Sequence, residues 1–149
     1  MKHVVVIVDG MGGGLGAQLA GALRRTFGDG MEIIALGTNA SATERMLKAG
    51  ADRGASGENA IKVSIGLGDY IIGPIGIVIP DSMMGEVSQA VASAVLCARG
   101  ERILLPVQQS HFTIAGMEQK SAARLLEDAL GVLKEKLASK PRESARHEV

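Results

Sequence analysis

The sequence predicts a single α/β domain in which helices cover both faces of a mainly parallel sheet, a three-layer sandwich. Three observations predict it. Short uninterrupted apolar runs, the mark of strands buried on both faces, recur along the chain. They alternate with stretches whose apolar residues repeat at helical spacing, which argues for parallel strands joined by helical crossovers. The length, 149 residues, suffices for one domain with a sizeable core and is short for two.

Taken in order, residues 3 to 8 (HVVVIV) read as the first strand. From Leu15 the apolar positions Leu19, Ala22, Leu23 and Thr26 or Phe27 recur at helical spacing. MEIIAL (31–36) reads as a second strand. SATERMLKAG (41–50) follows as a helix that Ser41 and Glu44 start with a capping box and Gly50 closes. A weak strand near ADRGA and a short helix from Asn59 to Ile65 precede a buried strand, DYIIG (69–73). IGIVIPDS fits a strand, a buried loop or an oligomer contact. Asp81 or Ser82 is then expected to cap a helix with Val87, Val91, Ala94, Val95 and Ala98 on one stripe. RILLPV (102–107) reads as a further strand and FTIAG (112–116) as an edge strand. The last helix places Ala122, Leu125, Leu126, Ala129, Leu133 and Leu137 at i, i+3, i+4 spacing. The predicted domain therefore spans 1–138, and 139–149 (SKPRESARHEV) is a polar tail expected to be disordered.

Composition removes several functions. Apolar residues make up 46% and charged residues 21%, the balance of a soluble globular protein. The aromatic residues are Phe27, Tyr70 and Phe112, too few to build a stacking platform for single-stranded nucleic acid. Sixteen basic side chains interleave with sixteen acidic ones, so no basic stripe exists for a phosphate backbone, and no nucleic-acid partner is expected. Cys97, the only cysteine, excludes a thiolate metal cluster and is expected as a buried, inert thiol. His111 stands alone as a histidine away from the ends, so no metal is expected. The run Val4–Val8 is too short for a signal-peptide core, and Gly and Pro interrupt YIIGPIGIVIP, so no membrane partner is expected. The expected compartment is the cytoplasm.

The densest signal lies between the first strand and the first helix, in DGMGGGLGAQLA. Gly12, Gly14 and Ala17 give G-x-G-x-x-A, the general dinucleotide-binding pattern of Rossmann-like domains. Gly10, Gly14 and Gly16 give G-x-x-x-G-x-G, which resembles the cofactor loop of short-chain dehydrogenases. In either alignment, missing Cβ atoms let main-chain N–H groups and a helix N-terminus approach a pyrophosphate. Gly10, Met11, Gly12, Gly13, Gly14, Leu15 and Gly16 are accordingly the predicted binding loop for NAD(P) or another nucleotide. Glycine at this density also suits a tight turn with no ligand. VDGMGG is similar to a motif of bacterial metal-dependent serine/threonine phosphatases as well. Those enzymes are larger β-sandwiches that need further aspartates, so the match is coincidental. Asp9 is expected to orient the loop by accepting backbone hydrogen bonds.

Ligands of parallel sheets bind beyond the carboxyl ends of the strands, which nominates two further loops. After the second strand, Thr38, Asn39 and Ser41 are small and polar, and ALGTNAS offers no acid for ribose hydroxyls. That absence tilts a dinucleotide towards NADP, with Arg45 as a charge partner. Otherwise these residues make a turn and a helix cap. After DYIIG, the residues Gly73, Pro74 and Gly76 either expose main chain to the ligand or bend the chain. Asn59, Ser82, Gln108, Gln109 and His111 lie near predicted element ends, where each could face the same cleft. The short-chain dehydrogenase pair of Tyr and Lys four apart is missing, because Pro74 stands four residues after Tyr70. No catalytic residue is assigned.

DGMGGGLG, IIALGTNASATERMLKAGAD, GASGENAI and DYIIGPIGIVIPDSMMGE together resemble a family of small bacterial proteins known as a domain of unknown function. The resemblance runs from about Val4 to Val107, with ALGTN and GPIGI as its most specific blocks, and VQQSHF departs from it. It implies a Rossmann-like domain standing alone and implies no reaction. The expected function is binding of a small phosphate-bearing ligand, in a homodimer. Two other readings stay open: an enzyme whose site a neighbouring subunit completes, and a ligand-free module pairing through IGIVIP and the helix from 83 to 99.

Overall fold

The structure is a computed structural model and describes residues 1–107 and 112–140. Its strands are β1 (His3–Asp9), β2 (Met31–Gly37), β3 (Arg53–Ser56), β4 (Tyr70–Pro74) and β5 (Glu101–Leu105). They form a five-stranded sheet in the order β3-β2-β1-β4-β5, and every pairing is parallel. The helices are α1 (Gly14–Phe27), α2 (Ala40–Ala49), α3 (Glu58–Ser64), α4 (Gln89–Leu96) and α5 (Ala122–Ser139).

Side chains of a strand alternate between the two faces of its sheet, and here the alternation makes two cores. Val5 and Ile7 of β1 join Ile33, Ala35, Ile72 and Ile103 under Leu19, Leu23, Met46 and Leu133, which come from α1, α2 and α5. Val4, Val6 and Val8 join Ile34, Leu36 and Ile71 under Ile61, Val91 and Val95, from α3 and α4. A strand that is apolar at every position therefore belongs in the centre, and β1 occupies it.

β1 pairs with β2 on one side and β4 on the other, and the chain leaves those two strands towards opposite faces. The reversal point lies at the carboxyl ends of β1 and β4, the usual ligand position in doubly wound sheets. This is the Rossmann-like arrangement the sequence predicts.

Four local expectations are corrected. The capping box does not form, because α2 begins at Ala40 and Asn39 caps it, its side-chain oxygen accepting from the Ala42 amide at 2.8 Å. Asn is as good a cap as Ser, and tertiary hydrogen bonds hold Asn39 from its other end. The helix after β4 does not start at Asp81 or Ser82. Asp81, Met83, Met84 and Gly85 have φ of 66°, 57°, 57° and 87°, which a right-handed helix cannot include, so Ser88 caps α4 instead. FTIAG adds no strand, and the left-handed Gly116 (φ 81°) breaks any extension. Cys97 is exposed, since α4 ends one residue earlier and leaves the thiol off the buried stripe.

IGIVIP resolves its ambiguity as a 3-10 turn over Ile75–Val78, with Ile77 fully buried in the second core. Val91 and Val95 of α4 are buried there too, while Met84 and Leu96 of the same stretch stay exposed. Among the described residues no helix is long and apolar enough to cross a membrane. The predicted tail beyond residue 140, with His147, lies outside the described residues, as do Gln108, Gln109 and His111.

Candidate functional site

β1 ends in a carboxylate that is 4% exposed. Asp9 Oδ1 accepts from the Gly10 amide at 2.8 Å and Oδ2 from the Gly16 amide at 2.7 Å. One side chain thus straps the loop to the first turn of α1, the orienting role expected of it. Burial raises its pKa above the ordinary aspartate value, with Glu86's charge adding a little, while the two amides oppose the shift. The Gly13 amide closes the turn onto the Gly10 carbonyl at 2.9 Å.

The glycines of this loop fall into two sets. A Cβ on Gly16 would stand 2.6 Å from Met46 Sδ and 2.9 Å from Asp9 Cβ, and one on Gly10 would stand 2.5 Å from Thr38 Oγ1. Gly13 has φ 71°, and a Cβ there would meet the Ala42 Cα at 2.7 Å. These three let β1, α1 and α2 pack. Gly12 and Gly14 differ. The nearest atom to a Cβ on either is the Arg45 guanidinium, at 3.8 and 3.6 Å, ordinary contact distances. Among the described residues, nothing accepts a hydrogen bond from the Gly12, Gly14 or Leu15 amides. Gly12 is exposed, Gly14 and Leu15 are half-buried, and Arg45 donates to the Gly12 carbonyl at 3.3 Å. Free donors, a helix N-terminus and a guanidinium therefore face one spot.

On the β2 side the arrangement is reversed in sign. Glu86 Oε1 accepts from Thr38 Oγ1 at 2.6 Å, from Asn39 Nδ2 at 2.8 Å and from the Met11 amide at 2.9 Å. Asn39 Nδ2 also donates to the Met11 carbonyl at 2.9 Å. The Thr38 hydroxyl holds the Glu86 carboxyl below the ordinary glutamate range; partial burial opposes, and the Met11 amide and Asn39 add to the lowering. The turn at 81–87 carries Glu86 there. It is pinned by the Asp81 amide on the Val87 carbonyl at 2.7 Å and by Ser82, whose hydroxyl donates to the Ile79 carbonyl at 2.8 Å and to the Gly76 carbonyl.

Thr38 and Asn39 thus meet the glycine loop through Glu86 and the Met11 backbone, and Ser41 sits exposed on the first turn of α2. Within the predicted binding loop the Gly10, Met11 and Gly16 amides are already taken by Asp9 and Glu86. Gly73 and Pro74 are not loop residues. Both are buried in β4, where a Cβ on Gly73 would collide with the Val8 carbonyl oxygen, so that glycine serves strand packing. Asn59 is exposed on the first turn of α3, next to Glu58, which accepts from the Ser88 hydroxyl at 2.5 Å close to the turn that carries Glu86. Sequence reasoning missed Glu86. ALGTNAS contains no acid, and nothing in the spacing of DSMMGE from Thr38 signals that the chain returns one.

A family model described as a domain of unknown function, DUF3842, matches residues 4–138. The chain belongs to that family. No curated protein matches the chain significantly in sequence. Among solved structures it is similar to a dodecameric FMN-dependent UbiX-like decarboxylase from Escherichia coli O157:H7. That likeness has 17% identity and a TM-score of 0.45, covering 97% of this chain and 84% of the other. It is also similar to a nucleoside-diphosphate-sugar epimerase from Pseudomonas aeruginosa, with 19% identity and a TM-score of 0.44. There the match covers 91% of this chain and 48% of the other, so the family member spans about half the epimerase's length.

Proposed function

We propose that this domain binds a nucleotide or dinucleotide, with a phosphate on the Gly12, Gly14 and Leu15 amides beside Arg45. One observation carries the reading: Gly12 and Gly14 have room for a Cβ and φ outside the left-handed region, so packing does not demand glycine at either position. A ligand that touches the main chain does demand it. Their place above the sheet's reversal point supports the reading further.

Gly14→Val tests it. Valine adds methyls over the amides, and among the described residues only the Arg45 head lies within 4 Å of its Cβ. Wild-type protein is titrated with AMP, ADP, NAD⁺ and NADP⁺ by calorimetry and thermal shift. A ligand at a hundred times its Kd adds about 2.7 kcal/mol, a rise of roughly 5–10 °C for a domain of this size. The variant is expected to melt near the wild-type temperature without ligand and to lose that rise. No response of the wild type to any of the four defeats the proposal.

We propose in addition that the protein is a homodimer. β5 is the sheet edge next to the segment carrying Phe112, Ile114 and Met117, each about 40% exposed. Exposed apolar side chains beside an open strand edge favour association. Sedimentation that finds only monomer at high concentration sinks this part alone.

A further inference from the structure

The two sides of the loop make different demands on a ligand. On the α1 side, free amides and Arg45 suit a phosphate. On the β2 side, a carboxylate already takes the Met11 amide and both polar side chains that end the strand. Glu86 Oε1 is saturated by those three donors, while Oε2 takes no hydrogen bond from any described residue. A half-buried carboxylate with one oxygen anchored and one free is an acceptor for hydroxyl groups and a repellent for a second anion.

From this we infer that Glu86 is a specificity-determining residue: it accepts hydrogen bonds from the ribose hydroxyls of the bound nucleotide and excludes a ribose that bears a 2′-phosphate. The inference rests on the nucleotide reading above and refines it. It reverses the tilt towards NADP that the acid-free ALGTNAS suggested. The acid is present at the end of β2, but it arrives from the turn after β4. The strand-end acid of a dinucleotide site is supplied here from the turn at 81–87, and Thr38 and Asn39 serve to hold it.

Among the described residues, the neighbouring charged side chains are already committed. Asp9 spends both oxygens on the Gly10 and Gly16 amides and is buried beneath the loop. Met83 shares the turn with Glu86, and its sulfur lies against Gly10 on the same side as the anchored Glu86 Oε1, an apolar neighbour of the carboxylate. Arg45 stands on the phosphate side, at the Gly12 carbonyl.

The experiment measures Kd for NAD⁺, NADP⁺, AMP, 2′-deoxy-AMP and inorganic pyrophosphate, on wild type and on Glu86→Gln. Glutamine keeps an oxygen for the three anchoring donors and removes the charge. Wild type is expected to prefer NAD⁺ over NADP⁺, and AMP over 2′-deoxy-AMP, by on the order of ten- to a hundredfold, the worth of a charged hydrogen bond. E86Q is expected to close most of both gaps, with NADP⁺ tightening and pyrophosphate little changed. Thr38→Val, which frees the carboxylate from its shortest anchor, is expected to narrow the same gaps without touching the charge. Circular dichroism and melting of each variant report folding separately from binding.

Equal or tighter binding of NADP⁺ by wild type overturns the inference and leaves the nucleotide reading standing. An equal gain for pyrophosphate in E86Q does so too, because Glu86 is then a competing anion rather than a reader of ribose. Failure of wild type to bind any nucleotide removes the reading and the inference together.

Discussion

Gly16 and Gly14 stand two residues apart on the same first turn, yet a side chain at one would strike Met46 and Asp9 while at the other it would brush Arg45. The same contrast separates Gly10 and Gly13 from Gly12. A run of glycines is therefore two features superposed. One set lets a strand and two helices approach each other, and the other leaves main chain open to something outside the protein. A fingerprint counts them alike, and only their surroundings divide them.

Substitutions can break this division, and the largest effect belongs to the packed set. Gly13→Val puts a β-branched residue at φ 71° with its Cβ 2.7 Å from the Ala42 backbone, so a loss of about 3 kcal/mol or more is expected in urea unfolding. Asp9→Ala comes next. It leaves the Gly10 and Gly16 amides without their acceptor and should cost about 2 kcal/mol in the same assay, with Asp9→Asn milder because one acceptor survives.

Glu86 gives a smaller effect with a sign. Its folded pKa is depressed, so its contribution is present above the unfolded glutamate pKa and fades as pH falls through the folded one. The stability difference between wild type and Glu86→Gln should accordingly shrink on acidification. Asp9 works the other way: its folded pKa is raised, so its ionisation opposes folding as pH rises through that range. A Glu86→Gln gap that widens in acid contradicts the assignment. Smallest of all is Gly12→Ala, expected to change stability by less than about 0.5 kcal/mol while weakening nucleotide binding at least as clearly as any variant above. If it unfolds the protein, the two sets are one.

Much of the fold is legible from composition and period alone. The unbroken apolar run of β1 predicts a central strand, and the helical stripes of α1 and α5 fall where expected, with Leu19, Leu23 and Leu133 buried. Asp9 is legible too, because an acid that ends a strand before a glycine turn has few partners but the amides of that turn. Local pattern failed wherever a distant group decided the outcome. Ser41 looks like a cap until Asn39 is fixed by Met11 and Glu86, and DSMMGE looks like a helix start until its left-handed residues fold it over Gly10.

What the chain settles by itself is the alternation of strands with helices and the presence of bare backbone after the first strand. Those follow from side-chain period and from missing Cβ atoms, both properties of neighbours in sequence. Which glycines face outward, and that an acid returns to the end of β2, came only from the tertiary structure. Hydrogen bonds between Glu86 and Thr38, Asn39 and Met11 bridge 47 to 75 residues, and such a closure leaves no trace in local spacing.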